Sequence, residues 1–426
     1  MSEQAVQAMQ SRQALRPEIS AIAADVPPIP EQTLADMRRN LFVRILDCMQ
    51  TDRTALADKV MFLDIAAYRD PLQFEEEFRK LFREGPQVAC LSTDIPEPGD
   101  FRCFDDLDVP IVVARGKDGA VRAFLNICMH RGARLVREEH GKAMRFSCRF
   151  HGWTFDTQGK AMGLPEEAMF CGALEARKQL ISFPCEERHG LVFVQATAGS
   201  TMDLDAHLGE FGRHLELVNL KDAHRVDEFS VRSSANWKYA LDTYFENYHL
   251  PVLHRDSFAK IFAHGLCLFD TWGPHHRFTF PHLDVRNHIG KPEAQWPTGS
   301  LPVTYFLFPN TIISVGSVSK IGGSLTVSRL FPPAVGENVT RVVACAQNGV
   351  PGPEHVAEIE KSLKSIRGAV IDEDYSVTNE AYPALGELPE GWEFVYGRHE
   401  IGVQNMHANF ARVTGLNPPR FEAEAG

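Results

Sequence analysis

Two short cysteine–histidine pairs constrain this chain more than any other feature. Cys128-Met129-His130 is followed, after seventeen intervening residues, by Cys148-Arg149-Phe150-His151. Two thiolates and two imidazoles so spaced are metal donors, and two centres accept them. One is a tetrahedral zinc. The other is a [2Fe–2S] cluster with both sulfurs on one iron and both imidazoles on the other. The surroundings favour the cluster. Each pair is expected in a short loop between strands rather than ahead of a finger helix. Gly132 and Gly152 follow closely, where backbone passing near the sulfides would supply amide hydrogen bonds. The other cysteines (Cys48, Cys90, Cys103, Cys171, Cys185, Cys267 and Cys345) lack ligand spacing and are expected as buried small residues. Nine cysteines, an odd number over 426 residues, argue against a disulfide scaffold.

The pattern around these pairs is that of a small all-β module over residues 86–197. Val109–Ala114 and Val121–Ile127 flank a Lys117-Asp118-Gly119 turn and form a hairpin, and short strands follow at Met144–Cys148, Trp153–Asp156 and Leu191–Ala196. Before the module, residues 1–58 read as helices around a Pro27–Pro30 break. Pro71–Phe82 then spaces Phe74, Phe78, Leu81 and Phe82 as one helix face. After it come strand-like runs at Thr304–Phe308, Thr311–Val315, Ser324–Phe331 and Arg341–Ala346. A long amphipathic helix from Pro353 carries Val356, Ile359, Leu363, Ile366 and Val370 on one stripe.

A second donor set lies in this later half. Asn236-Trp237-Lys238 opens a helix expected to run towards His249, putting Tyr239, Asp242, Glu246 and His249 on one face. Pro251 then breaks it, so that His254 swings back towards His249. The carboxylate that completes the set comes from the late helix. Extending its stripe puts Asp374 about 40° from the stripe centre and Asp372 about 160° away, with Glu373, about 60° off, also possible but less aligned. Asp374 is therefore the expected ligand, because an aspartate facing a core needs a cationic partner. Two imidazoles and one carboxylate hold a mononuclear Fe(II) with positions left open for dioxygen.

Taken together, CMHRGARL, CRFHGWTFD, the NWK segment, the His249–His254 pair and the EDY segment ending at Tyr375 resemble the catalytic α subunit of Rieske non-haem iron oxygenases, the aromatic-ring-hydroxylating family. The likeness covers nearly the whole chain. It implies an α+β fold: an all-β Rieske [2Fe–2S] domain beside a catalytic domain of antiparallel sheet wrapped around a long helix. The expected divisions are 1–85, helical and packed with the catalytic domain; 86–197, the Rieske domain; and 198–426, the mononuclear iron domain. By resemblance Cys128, His130, Cys148 and His151 bind the cluster, and His249, His254 and Asp374 bind Fe(II). Glu246 bridges His249 to His151 of the partner subunit in a ring-shaped homotrimer, with or without a β subunit. The family more often has aspartate at this position, and glutamate resembles the branch that oxidises quaternary ammonium compounds. Asp242 stands where asparagine is frequent near the iron and would affect dioxygen or proton handling.

The resemblance further implies electrons from NAD(P)H passed through a reductase or ferredoxin, and hydroxylation of a small aromatic substrate with O2. The runner-up is N- or O-demethylation of a quaternary ammonium or methoxy compound. From other classes come a Rieske electron carrier and a zinc-stabilised binding protein. No dinucleotide fingerprint is present, so nicotinamide is expected on a separate protein. Phe262, Phe269, Trp272, Phe278, Phe280, Tyr305 and Phe306 are candidate pocket walls, with His275, His276 and His282 in structural or lining roles. A net charge of −12 argues against a phosphate-bound nucleic-acid partner and is compatible with docking a basic protein. No apolar run reaches the roughly 18 residues of a membrane span, and the first twenty residues lack the apolar core of a signal peptide. The expectation is a cytoplasmic protein.

Overall fold

Apolar alternation in the middle of the chain builds antiparallel sheets that end in two places where metal donors collect. The computed structural model describes residues 31–296, 302–316 and 322–422; the Pro27–Pro30 break lies outside them. The first described helix, Leu34–Thr51, starts at a Thr33/Asp36 capping box, and Met37, Leu41, Phe42 and Ile45 are buried on it. These side chains share one apolar cluster with Tyr305, Leu307 and Ile313 of the large sheet.

The β module holds a five-stranded sheet in the order Ser182–Phe183, Val121–Leu125, Ile111–Arg115, Asp100–Phe104, His140–Lys142. A three-stranded sheet, Arg145–Ser147, Thr154–Asp156 and Ala161–Gly163, stands beside it. Gly119 adopts φ +80° in the turn between the Ile111–Arg115 and Val121–Leu125 strands, a conformation a Cβ would strain. The module has its own core, in which Cys128, Cys148, Phe146, Trp153 and Phe155 are buried together.

The later half is dominated by a seven-stranded antiparallel sheet. Its order is His224–Ser233, Glu337–Ala346, Ser324–Ala334, Thr311–Val315, Val303–Leu307, His275–Thr279, Leu268–Trp272. The long helix begins at Pro353, where a proline's missing N–H costs nothing, and lies across the His224–Ser233 and Glu337–Ala346 strands. Ile359 and Leu363 bury against Val342, Ala344 and Ala346. No helix among the described residues is long and apolar enough to cross a membrane.

Helix continuity departs from the periodicity at three points. Pro71–Glu77 is α-helical, but Phe78–Arg83 widens into a π-helical turn. The late helix likewise passes from α over Pro353–Gly368 to π over Ala369–Asp374, then resumes as α over Tyr375–Ala384. The helix from Trp237 ends at Asp242, well short of His249. Pro251 does not break that helix. It sits in the first turn of a new short one, Leu250–Leu253, where proline is tolerated. Most of the proposed pocket aromatics are core instead: Phe269, Phe278, Tyr305 and Phe306 are buried within the two main clusters. Cys171, expected as buried, is exposed.

Candidate metal centres

The two cysteine–histidine loops close in the same way. The Cys128 amide donates to Ala133 O at 2.7 Å and the Gly132 amide to Cys128 O at 2.9 Å. In the second loop Cys148 N donates to Trp153 O at 2.8 Å and Gly152 N to Cys148 O at 3.0 Å. Gly132 and Gly152 have φ of +76° and +73°, so the positive φ of the turn explains the glycines. Their amides serve the cysteine carbonyls, and the Phe150 amide, 3.4 Å from Cys148 Sγ, donates to a cysteine sulfur.

Around these turns the donors pair by type. Burial pushes the Cys128 thiol up, and the adjacent Cys148 sulfur adds to this against the amides of His130 and Arg131. Two buried sulfurs side by side ionise together only with a cation at hand. The His130 and His151 rings lie 4.6 Å apart. Trp153 stacks on His130 at 4.8 Å, and His130 Nδ1 is buried with no hydrogen-bond partner. No three of these four donors have ligand atoms within 4.8 Å of one another, among the described residues. One zinc needs all four donors within about 2.3 Å of itself. A binuclear cluster, with sulfurs on one iron and imidazoles on the other, fits this spread. At the rim, Arg131 Nη2 lies 2.7 Å from His151 Nε2 and the Phe150 ring is 60% exposed.

The second centre is built from two loops and the π-helical turn. His249, His254 and Asp374 form the one trio among the described residues whose ligand atoms all lie within 4.8 Å. Asp374 Oδ1 is 3.1 Å from His254 Nε2 and 3.6 Å from His249 Nε2. Each imidazole has its other nitrogen on a glutamate: His249 Nδ1 on Glu246, and His254 Nδ1 on Glu373. Burial pulls the His254 pKa down, but Asp374 and Glu373 outweigh it and hold it above the usual histidine value. A cation between the imidazoles and Asp374 replaces that proton, so this donor set fits a mononuclear metal.

Glu246 reaches His249 without a shared helix face. Its carboxylate also accepts from the backbone amides of Tyr248 and His249, folding residues 246–249 into a tight turn. Asn247 ties the turn down through Leu266 O at 3.0 Å. Asp242 is turned elsewhere. It accepts from Tyr68 Oη at 2.6 Å, Tyr396 Oη at 3.1 Å and His407 Nε2 at 2.8 Å, all buried. The helix itself ends in tighter i→i+3 bonds, Tyr244 N to Leu241 O and Phe245 N to Asp242 O, after which the Glu246 carboxylate takes the Tyr248 and His249 amides that a continuing helix would need.

Two further residues stand near the second centre, one weighed in the sequence only as a possible metal ligand and the other without any signal there. Glu373, weighed as a less aligned ligand, instead contacts His254 Nδ1 from 119 positions away. Glu400, at the start of the Ile401–Thr414 helix, is pushed up to about 7 by burial, with Glu246 and Asp242 adding to it against the Gly397 amide. Phe258 packs on His254 at 5.1 Å and continues to Phe262 and Phe280. His282 lies beside this wall, its ring 5.0 Å from Phe262, whereas His275 is structural, bonded to His207 O at 2.7 Å and by Phe308 N at 3.1 Å. His276 is fully buried against Phe245 and Phe306.

A cluster-holding β module followed by an iron-binding sheet-and-helix domain defines a class, and comparison with known proteins agrees. Residues 85–184 match the Rieske [2Fe-2S] domain, and residues 220–415 match the ring hydroxylating alpha subunit (catalytic domain). The chain belongs to the Rieske non-haem iron oxygenases and has the architecture of their catalytic α subunit. It is 32% identical over 200 residues to the biphenyl 2,3-dioxygenase subunit alpha of Rhodococcus jostii, covering 44% of this chain and 42% of that one. It is 28% identical over 216 residues to the glycine betaine monooxygenase oxygenase subunit of Pseudomonas aeruginosa, covering 49% of each. The chain thus spans about half the length of the curated relatives it matches. In fold it is similar to a quaternary ammonium Rieske monooxygenase crystallised with L-carnitine, with a TM-score of 0.69 at 19% identity over 91% of this chain and 99% of that one. Naphthalene 1,2-dioxygenase from Rhodococcus sp. gives 0.68 at 19% over 90% and 99%.

Proposed function

We propose that this chain is the oxygenase component of a multicomponent system that hydroxylates a small aromatic substrate with O2 and electrons from NAD(P)H. The observation that carries the reading is the His249, His254 and Asp374 trio, with a carboxylate behind each imidazole, in one chain with the two cysteine–histidine loops. In this reading Cys128, His130, Cys148 and His151 hold the cluster that receives electrons singly. His249, His254 and Asp374 hold the iron. Bound there, iron supplies the one-electron and Lewis-acid chemistry that dioxygen needs.

The protein's own residues position and exclude. Glu246 and Glu373 keep the Nδ1 protons on their histidines and point both Nε2 lone pairs inward. Phe258, Phe262 and Phe280 give the site an apolar wall that excludes water and stacks a planar substrate. Glu246 links the two centres across a subunit boundary in a homotrimer. The exposure of Phe150 beside His151, and of Tyr248 and Val252 beside His249, supports docking of those two rims. A reductase or ferredoxin supplies the electrons, with or without a β subunit present. The division into residues 1–85, 86–197 and 198–426, and a cytoplasmic location, belong to the same reading.

A second substrate class has a specific observation in its favour. Glu246 contacts His249 directly despite its extra methylene, and one relative is a glycine betaine monooxygenase. An aromatic wall also suits a methylated ammonium through cation–π attraction. Oxygen uptake by the purified protein with a reductase, screened against aromatic acids, phenols and betaines, tests both. Uptake coupled to one class, with oxygen from O2 in the product, selects it. A cluster that is reduced and reoxidised with no substrate-dependent uptake would make the chain an electron carrier.

A further inference from the structure

We propose that Glu373 is the positioning residue for His254, and that the π-helical turn over Ala369–Asp374 exists to let two consecutive carboxylates grip one imidazole. The proposal rests on the reading of His249, His254 and Asp374 as metal ligands and adds a residue outside that set. In an α-helix successive side chains diverge by about 100°. Here Glu373 Oε2 meets His254 Nδ1 while Asp374 Oδ1 lies 3.1 Å from Nε2 of the same ring. The widened turn brings adjacent residues onto opposite ring nitrogens, and the longer glutamate reaches round the ring's far side.

The surroundings fix Glu373 in that task. Ser257 Oγ donates to Glu373 Oε2 at 2.7 Å, holding the carboxylate from the loop that carries His254. Without Glu373, the nearest partner for Nδ1 is Ser257 Oγ at 3.5 Å, too long to fix the ring. A carboxylate on Nδ1–H settles the tautomer and keeps the Nε2 lone pair aimed at the metal. Glu246 does the same for His249, but with two backbone amides also on its oxygens. The two glutamates therefore divide the work. Glu373 secures the inner ligand, 2% exposed, and sets how tightly iron is held; Glu246 serves the outer one, facing any partner.

The test is Fe(II) affinity of the full chain, measured by chelator competition on protein loaded with its Rieske cluster. Glu373→Ala should weaken Fe(II) binding by about 10- to 100-fold. The Rieske absorption and the thermal midpoint of protein stripped of mononuclear iron should stay at parental values. Glu373→Gln keeps an oxygen that accepts from Nδ1–H, so it should recover at least half of that loss on a logarithmic scale. Co(II) loaded in place of iron should show an altered ligand-field spectrum in the alanine variant and a near-parental one in the glutamine variant. Parental affinity in Glu373→Ala, or a glutamine variant as weak as the alanine one, overturns the proposal. His254→Ala is the separate control: if it binds Fe(II) as the parent does, the metal-site reading itself fails, whatever Glu373 does.

Discussion

Replacing Glu77 by glutamine should cost this protein a large share of its stability, and the cost should shrink as pH rises. Glu77 and Lys238 are each 1% exposed and form an ion pair between the Pro71–Glu77 helix and the NWK segment. Glu77 also accepts from Gln73 Nε2 at 2.6 Å and Trp237 Nε1 at 3.3 Å. Glutamine keeps the shape but leaves the ammonium buried without a counter-charge, a loss of about 3–5 kcal/mol. Lys238 has an escape, because burial already pulls its pKa down against the pull of Glu77. Shedding the proton at pH 7.5 costs about 4 kcal/mol, from an ordinary lysine pKa of about 10.4 and about 1.36 kcal/mol per unit. The two routes agree, so a loss of about 3–4 kcal/mol is expected near neutral pH. By the second route the folded variant holds one proton fewer than its unfolded chain. Its stability then rises with pH by up to about 1.4 kcal/mol per unit until about pH 10. Urea unfolding followed by tryptophan fluorescence at pH 7 and 9, parent against variant, reads both effects. Glu77→Gln with Lys238→Met removes both charges and should restore most of the loss. A single-variant cost below about 1 kcal/mol would refute the reasoning, as would a double variant no more stable than the single one.

His151→Ala should leave a folded chain without the Rieske absorption and its paramagnetic signal, since the two thiolates alone cannot make the histidine-ligated iron; an unchanged spectrum removes His151 from the cluster. Asp374→Ala should lose mononuclear iron and turnover with the cluster spectrum intact, whereas Asp372→Ala, at an exposed position of the π turn, should keep both; iron analysis of the two variants checks this. Glu246→Gln should bind iron and accept electrons from the reductase but fail to reoxidise its cluster in single turnover with substrate and O2. Reoxidation at the parental rate would place the link between centres on another residue.

Much of the fold was legible because it is written in short-range hydrogen bonding. The Ile111–Arg115 and Val121–Leu125 hairpin follows from alternation around Lys117-Asp118-Gly119, and Thr311–Val315 from its apolar run. Each cysteine–histidine loop closes on itself within six residues, so its sequence alone gives its shape. His249, His254 and Asp374 were legible as a set by donor chemistry. The aromatic walls were not: Phe269, Phe278 and Tyr305 have the composition of a pocket and the position of a core. Whether an aromatic ring meets a substrate or another ring is settled by which sheet face is already covered.

The sequence by itself determined the local parts: donor types and their spacings, the glycines that turn each cluster loop, the helix start at Pro353. Only the tertiary structure decided what Asp242 bonds to and which carboxylate serves which imidazole. Asp242 is turned away from Glu246 because Tyr68, Tyr396 and His407, contributed by three remote segments, converge on its side chain. Glu373 meets His254 because the helix widens into a π turn before Asp374, something a fixed 3.6-residue period cannot register. A periodic pattern encodes the direction a side chain leaves its own backbone. The partner it reaches, often more than a hundred residues away, exists only once packing has brought the two backbones together.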